Sequence, residues 1–365
     1  MSVEPTSPTA TSAAVATEHG ILGLSETEHH EALRCAAASG YALSIPELWR
    51  RQTLSREMLR QVLPTSDELA THPHFTTNPL KEQAPTPGEF PPYLLQKYAG
   101  RALLVTTNAC FGNCRFCFRR HLRMEKPDSK TDSMAGSKDS TAGSKPDCTP
   151  ATSEFPLSFV ETLRPDVSEL ILSGGDPLVL SDAQLAQLIA RLETLPQLRR
   201  LRIHTRAVSF CPERITEELL EILKRTTLTI WFVLHINHPD ELELPGVPQA
   251  IQRLRLAGIP LLQQGVLLRG VNDDFETLKA LYLRLADLQI VPYYLHQLDQ
   301  VQGAAHFEVP IATGRQLIQR LRDVLPGYAL PRYVREIPGH LPKPCWSDGS
   351  ARSGLPLFWL ASLLV

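Results

Sequence analysis

The residues with the clearest chemical potential are Cys110, Cys114 and Cys117. They lie in the run Cys110-Phe111-Gly112-Asn113-Cys114-Arg115-Phe116-Cys117, and Phe118-Arg119-Arg120-His121 follows at once. Three thiols this close in sequence converge readily on one soft metal centre. The number three is informative. A closed structural zinc site takes four ligands, whereas an iron–sulfur cubane held by three cysteines keeps one iron open for a substrate. Two other readings stand beside the cluster. His121 completes a Cys-x3-Cys-x2-Cys-x3-His series, which would suit a zinc module that binds RNA, and short motifs also arise by chance. The elements around the run have to decide.

The run directly follows Leu103-Leu104-Val105-Thr106-Thr107, which reads as a buried strand. It is the first of six apolar, β-rich stretches, at about 102–107, 168–173, 200–205, 228–236, 260–267 and 291–296. Helix-like segments separate most of them, at 182–195, 213–224, 249–257 and 275–288. Strand–helix alternation predicts a parallel sheet with crossover helices. Six units fall short of a closed eight-unit barrel, so the fold class expected is α/β, a partial (β/α)6 TIM-type barrel. Such barrels carry their chemistry at the C-terminal ends of the strands. The polar and glycine motifs sit there: the cysteines, Ser173-Gly174-Gly175-Asp176, His204-Thr205-Arg206, His235-Ile236-Asn237-His238 and His296-Gln297-Leu298-Asp299, with Gln263-Gln264-Gly265 inside the fifth stretch.

The rest of the chain is chemically quieter. Residues 1–24, rich in Ser, Thr and Ala, are expected to be disordered. Residues 25–97 read as a helical extension and connector: apolar spacing predicts helices over 28–38 and 45–58, and the Pro- and Thr-rich stretch 64–97 reads as extended. The main domain spans 98–325 and is interrupted at 126–153 by a Ser/Lys/Asp/Thr-rich insertion in which Ala-Gly-Ser-Lys occurs twice. Cys148 inside that insertion is a bystander.

Composition narrows the function classes. A chain of 365 residues that is 43% hydrophobic can bury a substantial core. Net charge −2 and a pI near 6.6 give no basic field for nucleic acid. Seven cysteines, an odd number with three crowded together, suit cytoplasmic metal chemistry better than a disulfide framework. There is no secretory signal pattern, and no apolar stretch reaches the ~20 residues of a membrane-spanning helix.

Taken together the motifs resemble the radical S-adenosylmethionine (SAM) superfamily, and within it the lysine 2,3-aminomutase family, in particular its short branch that makes β-lysine for elongation factor P. The likeness covers roughly residues 45–343. It rests on RALLVTTNAC, CRFCFRRH, LILSGGDPL, RLRIHTR, HINHP, LLRGVND, PYYLHQLD and GAAHF in this order. The resemblance implies a 4Fe-4S cluster on Cys110, Cys114 and Cys117, with SAM on the open iron. Gly174 and Gly175 match the pair that lies against SAM, where a Cβ would obstruct the approach. His235, Asn237 and Gln264 match positions around SAM and the neighbouring cofactor, though each also reads as an ordinary barrel-mouth polar residue.

The second cofactor implied is pyridoxal 5′-phosphate (PLP), which needs a Schiff-base lysine. In Glu336-Ile337-Pro338-Gly339-His340-Leu341-Pro342-Lys343, Lys343 matches the PLP lysine, so 326–343 forms a PLP-lysine segment. Tyr98 and Arg101 match residues that hold the PLP phosphate. For the substrate, L-lysine, Arg119 matches the residue that grips the α-carboxylate, while Asp299 and Glu336 match the pair that holds the ε-ammonium. Longer relatives carry aspartate where Glu336 stands. Arg120 and His121 are read as structural. The expected partners are an electron donor such as flavodoxin or ferredoxin, and functionally elongation factor P and its ligase. The apolar tail 344–365 matches nothing in the family, and no structural zinc is expected. A radical SAM enzyme without PLP is the alternative reading; it would lack the set Lys343, Asp299 and Glu336.

Overall fold

All six apolar stretches form strands, and two more extend the sheet at its edges. A computed structural model describes residues 24–82, 93–121, 157–337 and Cys345. The strands are β1 (Tyr93–Tyr98), β2 (Arg101–Thr107), β3 (Glu169–Gly174), β4 (Arg200–Thr205), β5 (Thr229–His235), β6 (Leu261–Leu267), β7 (Val291–Gln297) and β8 (Arg332–Val334). They lie in the order β1-β2-β3-β4-β5-β6-β7-β8. From β2 to β8 every pair is parallel, whereas β1 runs antiparallel to β2 through a tight return at Gly100. Gly100 has φ +72°, a left-handed conformation that costs glycine little.

The helices are α1 (Glu26–Ser39), α2 (Glu47–Arg50), α3 (Arg56–Arg60), α4 (Asp182–Glu193), α5 (Ala207–Phe210), α6 (Glu217–Arg225), α7 (Val247–Leu256), α8 (Phe275–Asp287) and α9 (Ile311–Arg322). The barrel helices bury one leucine-rich face, for instance Leu185, Leu188 and Leu192 on α4 and Leu278, Leu281 and Leu285 on α8. Their starts follow local chemistry: Ser181 and Gln184 form a reciprocal capping box, and Asp274 accepts from Thr277 N.

Two expectations need correction, and one element was not foreseen. The helix predicted over 45–58 is broken into α2 and α3, with Ser55 capping the second, so the chain turns where continuous periodicity was expected. The stretch 64–97 is not wholly a connector, because its end forms β1. The strand at 332–334 is too short for periodicity to announce. The expected disorder at the N-terminus, the insertion at 126–153, Lys343 and the tail apart from Cys345 lie outside the described residues.

The core is continuous from barrel to extension. Ile45, Trp49, Met58, Leu59 and Val62 join the same apolar cluster as Leu104, Leu172, Phe210 and Phe232. Trp49 is fully buried, and its indole N–H donates to the Ser209 carbonyl at 2.8 Å.

Candidate active site

The cysteine loop leaves the C-terminal end of β2 and is held from below by the extension. Asn113 N donates to the Ser44 carbonyl at 2.8 Å, and Arg115 N to the Gln61 carbonyl at 2.9 Å. The side chain of Arg115, wholly buried, forks onto Glu68 with both contacts at 2.7 Å and donates to the carbonyls of Ala42 and Tyr41. Arg120 donates to the same carboxylate at 2.6 Å and to the carbonyls of Arg115 and Gly303. Two cations thus share one buried carboxylate beneath the thiols. The extension, which the sequence left chemically silent, is the clamp of the loop. Arg120 has the structural position expected of it, and His121 Nε2 lies 3.0 Å from the Gln302 carbonyl oxygen.

Beside the loop, the Ser-Gly-Gly-Asp turn after β3 packs backbone to backbone. Gly175 N donates to the Thr107 carbonyl and Asp176 N to the Ala109 carbonyl. A Cβ on Gly174 would stand 2.5 Å from the Thr107 oxygen, and one on Gly175 would collide with the Ala109 backbone. Gly174 also has φ +119°. Both glycines are therefore demanded by the protein's own packing, in addition to any ligand that approaches them. Asp176 accepts from Thr205 Oγ1, Arg206 N and Leu178 N, while its burial pushes its carboxyl upward from the ordinary range.

These elements open onto one cavity of about 500 Å3. Cys110, Cys114 and Cys117 line one part of it, together with Gly174, Gly175 and Arg206. Tyr98, Arg101, Asp299 and Glu336 line it too, as do Arg119, His235 and Gln264. The donor set suits a sulfur-ligated iron cluster. Burial, then the neighbouring Cys114, pushes the Cys117 thiol up to about 11, and burial raises Cys110 as well, so these two thiols ionise readily only when a cation offsets the charge. Among the described residues no three of His, Cys, Asp and Glu stand at metal-binding separation.

Of the residues expected to bind PLP phosphate and substrate, Tyr98, Arg101 and Glu336 are brought into contact. The Tyr98 hydroxyl donates to Glu336 Oε1 at 3.1 Å, and burial together with that carboxylate pushes the phenol up to about 12. Arg101 stacks its guanidinium 4.2 Å from the centre of the Tyr98 ring. Tyr98 and Glu336, which the sequence assigned to different ligands, are therefore direct partners. Arg119 is held on two sides. Glu82 takes its Nε at 2.9 Å and one terminal nitrogen at 3.0 Å, and the other terminal nitrogen donates to Ser173 Oγ at 3.0 Å. Glu82 itself is buried and is pinned by Asn78. Nothing in the sequence pattern singled out Glu82, Glu68 or Gln61, because each acts across a long chain separation.

Of the three polar residues expected round the cofactors, two face the cavity. Gln264 Nε2 donates to His235 Nε2 and lies 3.4 Å from His204 Nδ1. Burial, then the charges of Arg206 and Arg119, drives His235 down to about 3, so it is neutral at working pH. Asn237 is held differently. It does not line the cavity: its amide donates to Gln61 at 3.0 Å and accepts from Val266 N at 2.8 Å, tying β5, β6 and the extension together.

The fold agrees with what the chain is similar to. The Radical SAM superfamily signature covers residues 104–281, from β2 into α8. The L-lysine 2,3-aminomutase of Escherichia coli (strain K12) is 43% identical over 283 residues, which is 77% of this chain and 75% of that protein. The enzyme of the same name from Haemophilus influenzae (strain ATCC 51907 / DSM 11121 / KW20 / Rd) is 35% identical over 331 residues, 90% of each chain. That of Clostridium subterminale is 34% identical over 280 residues, 77% of this chain and 62% of that longer protein. A 4Fe-4S cluster and SAM are the cofactors of the superfamily, and lysine 2,3-aminomutases add PLP. With the superfamily signature running through the barrel and aminomutases aligned along most of their length, the chain is an isomerase that belongs to the L-lysine 2,3-aminomutase family of the radical SAM superfamily.

Proposed function

We propose that the protein converts L-lysine to β-lysine in the cytoplasm, and that the product serves the modification of elongation factor P through its ligase. The observation that supports the conversion is one cavity lined both by the three thiols and by Asp299 and Glu336. Lysine is a dication with one carboxylate, so its site needs paired anions and a cation. Asp299 and Glu336 are the anions of this reading and Arg119 is the cation. Cys110, Cys114 and Cys117 hold the cluster, with one iron left for SAM, and Gly174 and Gly175 keep the adjoining wall flat. Tyr98 and Arg101 hold the PLP phosphate, and Lys343, two residues before the cavity-lining Cys345, is the lysine that takes PLP. His235 and Gln264 complete the cofactor wall; Asn237 supports it from behind. When bound, the cofactors supply hydrogen abstraction and radical stabilisation, while the chain supplies position and dryness. A low-potential one-electron protein, flavodoxin or ferredoxin, delivers the electron. The elongation factor P link is supported by likeness to the short branch of the family.

The test is a product assay under anaerobic conditions with L-lysine, SAM, PLP and dithionite, read by mass spectrometry after derivatisation. β-Lysine formation that requires all four supports the reading. SAM cleavage with lysine unchanged, and no PLP absorbance on the protein, would favour a radical SAM enzyme that works without PLP. Transfer of isotopically labelled product onto elongation factor P by its ligase tests the downstream role.

A further inference from the structure

The residue with the most unusual surroundings outside the assigned set is Arg206, at the end of β4. Its guanidinium is almost wholly buried. One terminal nitrogen donates to Cys114 Sγ at 2.8 Å. The other donates to Gln61 Oε1 and to Glu241 Oε2, the latter at 3.2 Å. The ring of Phe210 lies 4.2 Å from the guanidinium carbon, and those of Trp49 and Phe116 lie 5.6 Å away. The backbone N–H of the same residue is fixed by Asp176 at 2.7 Å. This is a cation caged by aromatic rings, anchored at both ends and aimed at one sulfur. Glu241 is equally fixed: its side chain is fully buried, and its other oxygen accepts from Asn237 N and His238 N.

We infer that Arg206 is a positioning residue that sets the reduction potential of the cluster through Cys114, with Glu241 as a counterweight. The inference rests on the reading of Cys114 as a cluster ligand. The potential of an iron–sulfur centre follows its net charge and the hydrogen bonds to its sulfurs. Reduction adds one electron to the cluster, taken from a one-electron donor, and so adds one negative charge beside this fixed cation. A hydrogen bond to thiolate sulfur withdraws charge, and a buried positive charge favours the reduced form; both raise the potential. In these aromatic surroundings the interaction is little screened. Glu241 opposes the effect from the far side of the guanidinium, and so trims it.

The experiment is an anaerobic redox titration of the reconstituted full chain, with dithionite as reductant and the reduced cluster followed by electron paramagnetic resonance, with no SAM present. Arg206→Gln should make reduction at a fixed potential at least tenfold less favourable, which for a one-electron couple is a fall of about 59 mV. Glu241→Gln should shift the midpoint the other way. General damage to the loop lowers iron content in both variants but does not give shifts of opposite sign. Equal midpoints in wild type and both variants, at full iron content, would overturn the inference while leaving the cluster in place. If Arg206→Gln retains no iron, Glu241→Gln decides alone, and an unmoved midpoint overturns the inference. A wild-type chain that binds no iron, or a Cys114→Ala chain that keeps its full cluster, would defeat the cysteine reading itself and the inference with it.

Discussion

Replacing Glu68 by glutamine tests the clamp beneath the cysteine loop. Glu68, Arg115 and Arg120 have side-chain exposures of 0%, 0% and 1%. The carboxylate receives two donors from Arg115 and one from Arg120, all within 2.6–2.7 Å. Glutamine keeps one acceptor but turns an N–H toward a guanidinium N–H, and leaves two buried cations without their anion. Removing one member of a buried pair costs about 3–5 kcal/mol. Domains are stable by about 5–15 kcal/mol, so the loss is a large share. With a urea dependence near the top of the usual range, about 3 kcal/mol per molar, the midpoint should fall by roughly 1–2 M. Trp49 is a suitable reporter, since it is buried where the extension meets the barrel. The control is Lys224→Gln, which removes an exposed pair with Glu221 at 3.1 Å and should cost about 0–1 kcal/mol. Iron retained after desalting should fall in the Glu68 variant and stay level in the control. A Glu68→Gln midpoint indistinguishable from that of Lys224→Gln would refute the clamp.

Three further outcomes are expected. Asp299→Asn should raise the lysine KM by roughly ten- to a hundredfold, because a hydrogen bond to a charged group is worth about 1.5–3 kcal/mol, with cluster and PLP absorbance retained; an unchanged KM would remove Asp299 from the ammonium site. Gly175→Ala should destabilise the chain by about 1–3 kcal/mol and impair iron loading, since its Cβ meets the Ala109 backbone; normal loading and an unchanged midpoint would contradict that packing. Acid should weaken the fold through two histidines whose folded values are depressed, His235 to about 3 and His306 to about 4, chiefly by burial. The unfolded chain takes up protons near pH 6.5 that the folded chain declines, so stability is full above pH 6.5 and falls as pH drops toward 4, by up to about 1.4 kcal/mol per pH unit for each histidine. Urea midpoints measured at pH 7 and pH 5 check this, and His306→Gln should flatten the slope.

What could be read from sequence follows from what is local. β2 to β7 show themselves because each is a short β-rich run with buried apolar residues at alternate positions, and the cysteine loop and Ser-Gly-Gly-Asp turn show themselves by spacing. β8 has only three residues, and β1 follows a Pro-rich stretch that reads as linker. The break between α2 and α3 was hidden because apolar spacing continues across it. The partners of the site are invisible for a different reason. Glu68 reaches Arg115 over 47 residues, Glu82 reaches Arg119 over 37, and Gln61 reaches Arg206 over 145. A lone glutamate in a polar stretch looks the same whether it faces solvent or locks a guanidinium. Strand-end position alone does not say which way a side chain such as Asn237 turns.

The sheet begins at β1 and ends at β8, so the two outer strands face each other across a seam instead of through a ladder. Tyr98 belongs to one edge and Glu336 follows directly from the other, and their hydrogen bond spans the gap. A closed barrel widens only by breaking several main-chain bonds at once. Among the described residues this side-chain bond links the two edges, and a hydrogen bond that involves a charged group is worth about 1.5–3 kcal/mol. The two ends of the sheet are therefore joined at the cavity by side-chain chemistry, with Tyr98 and Glu336 both lining the space a guest would occupy.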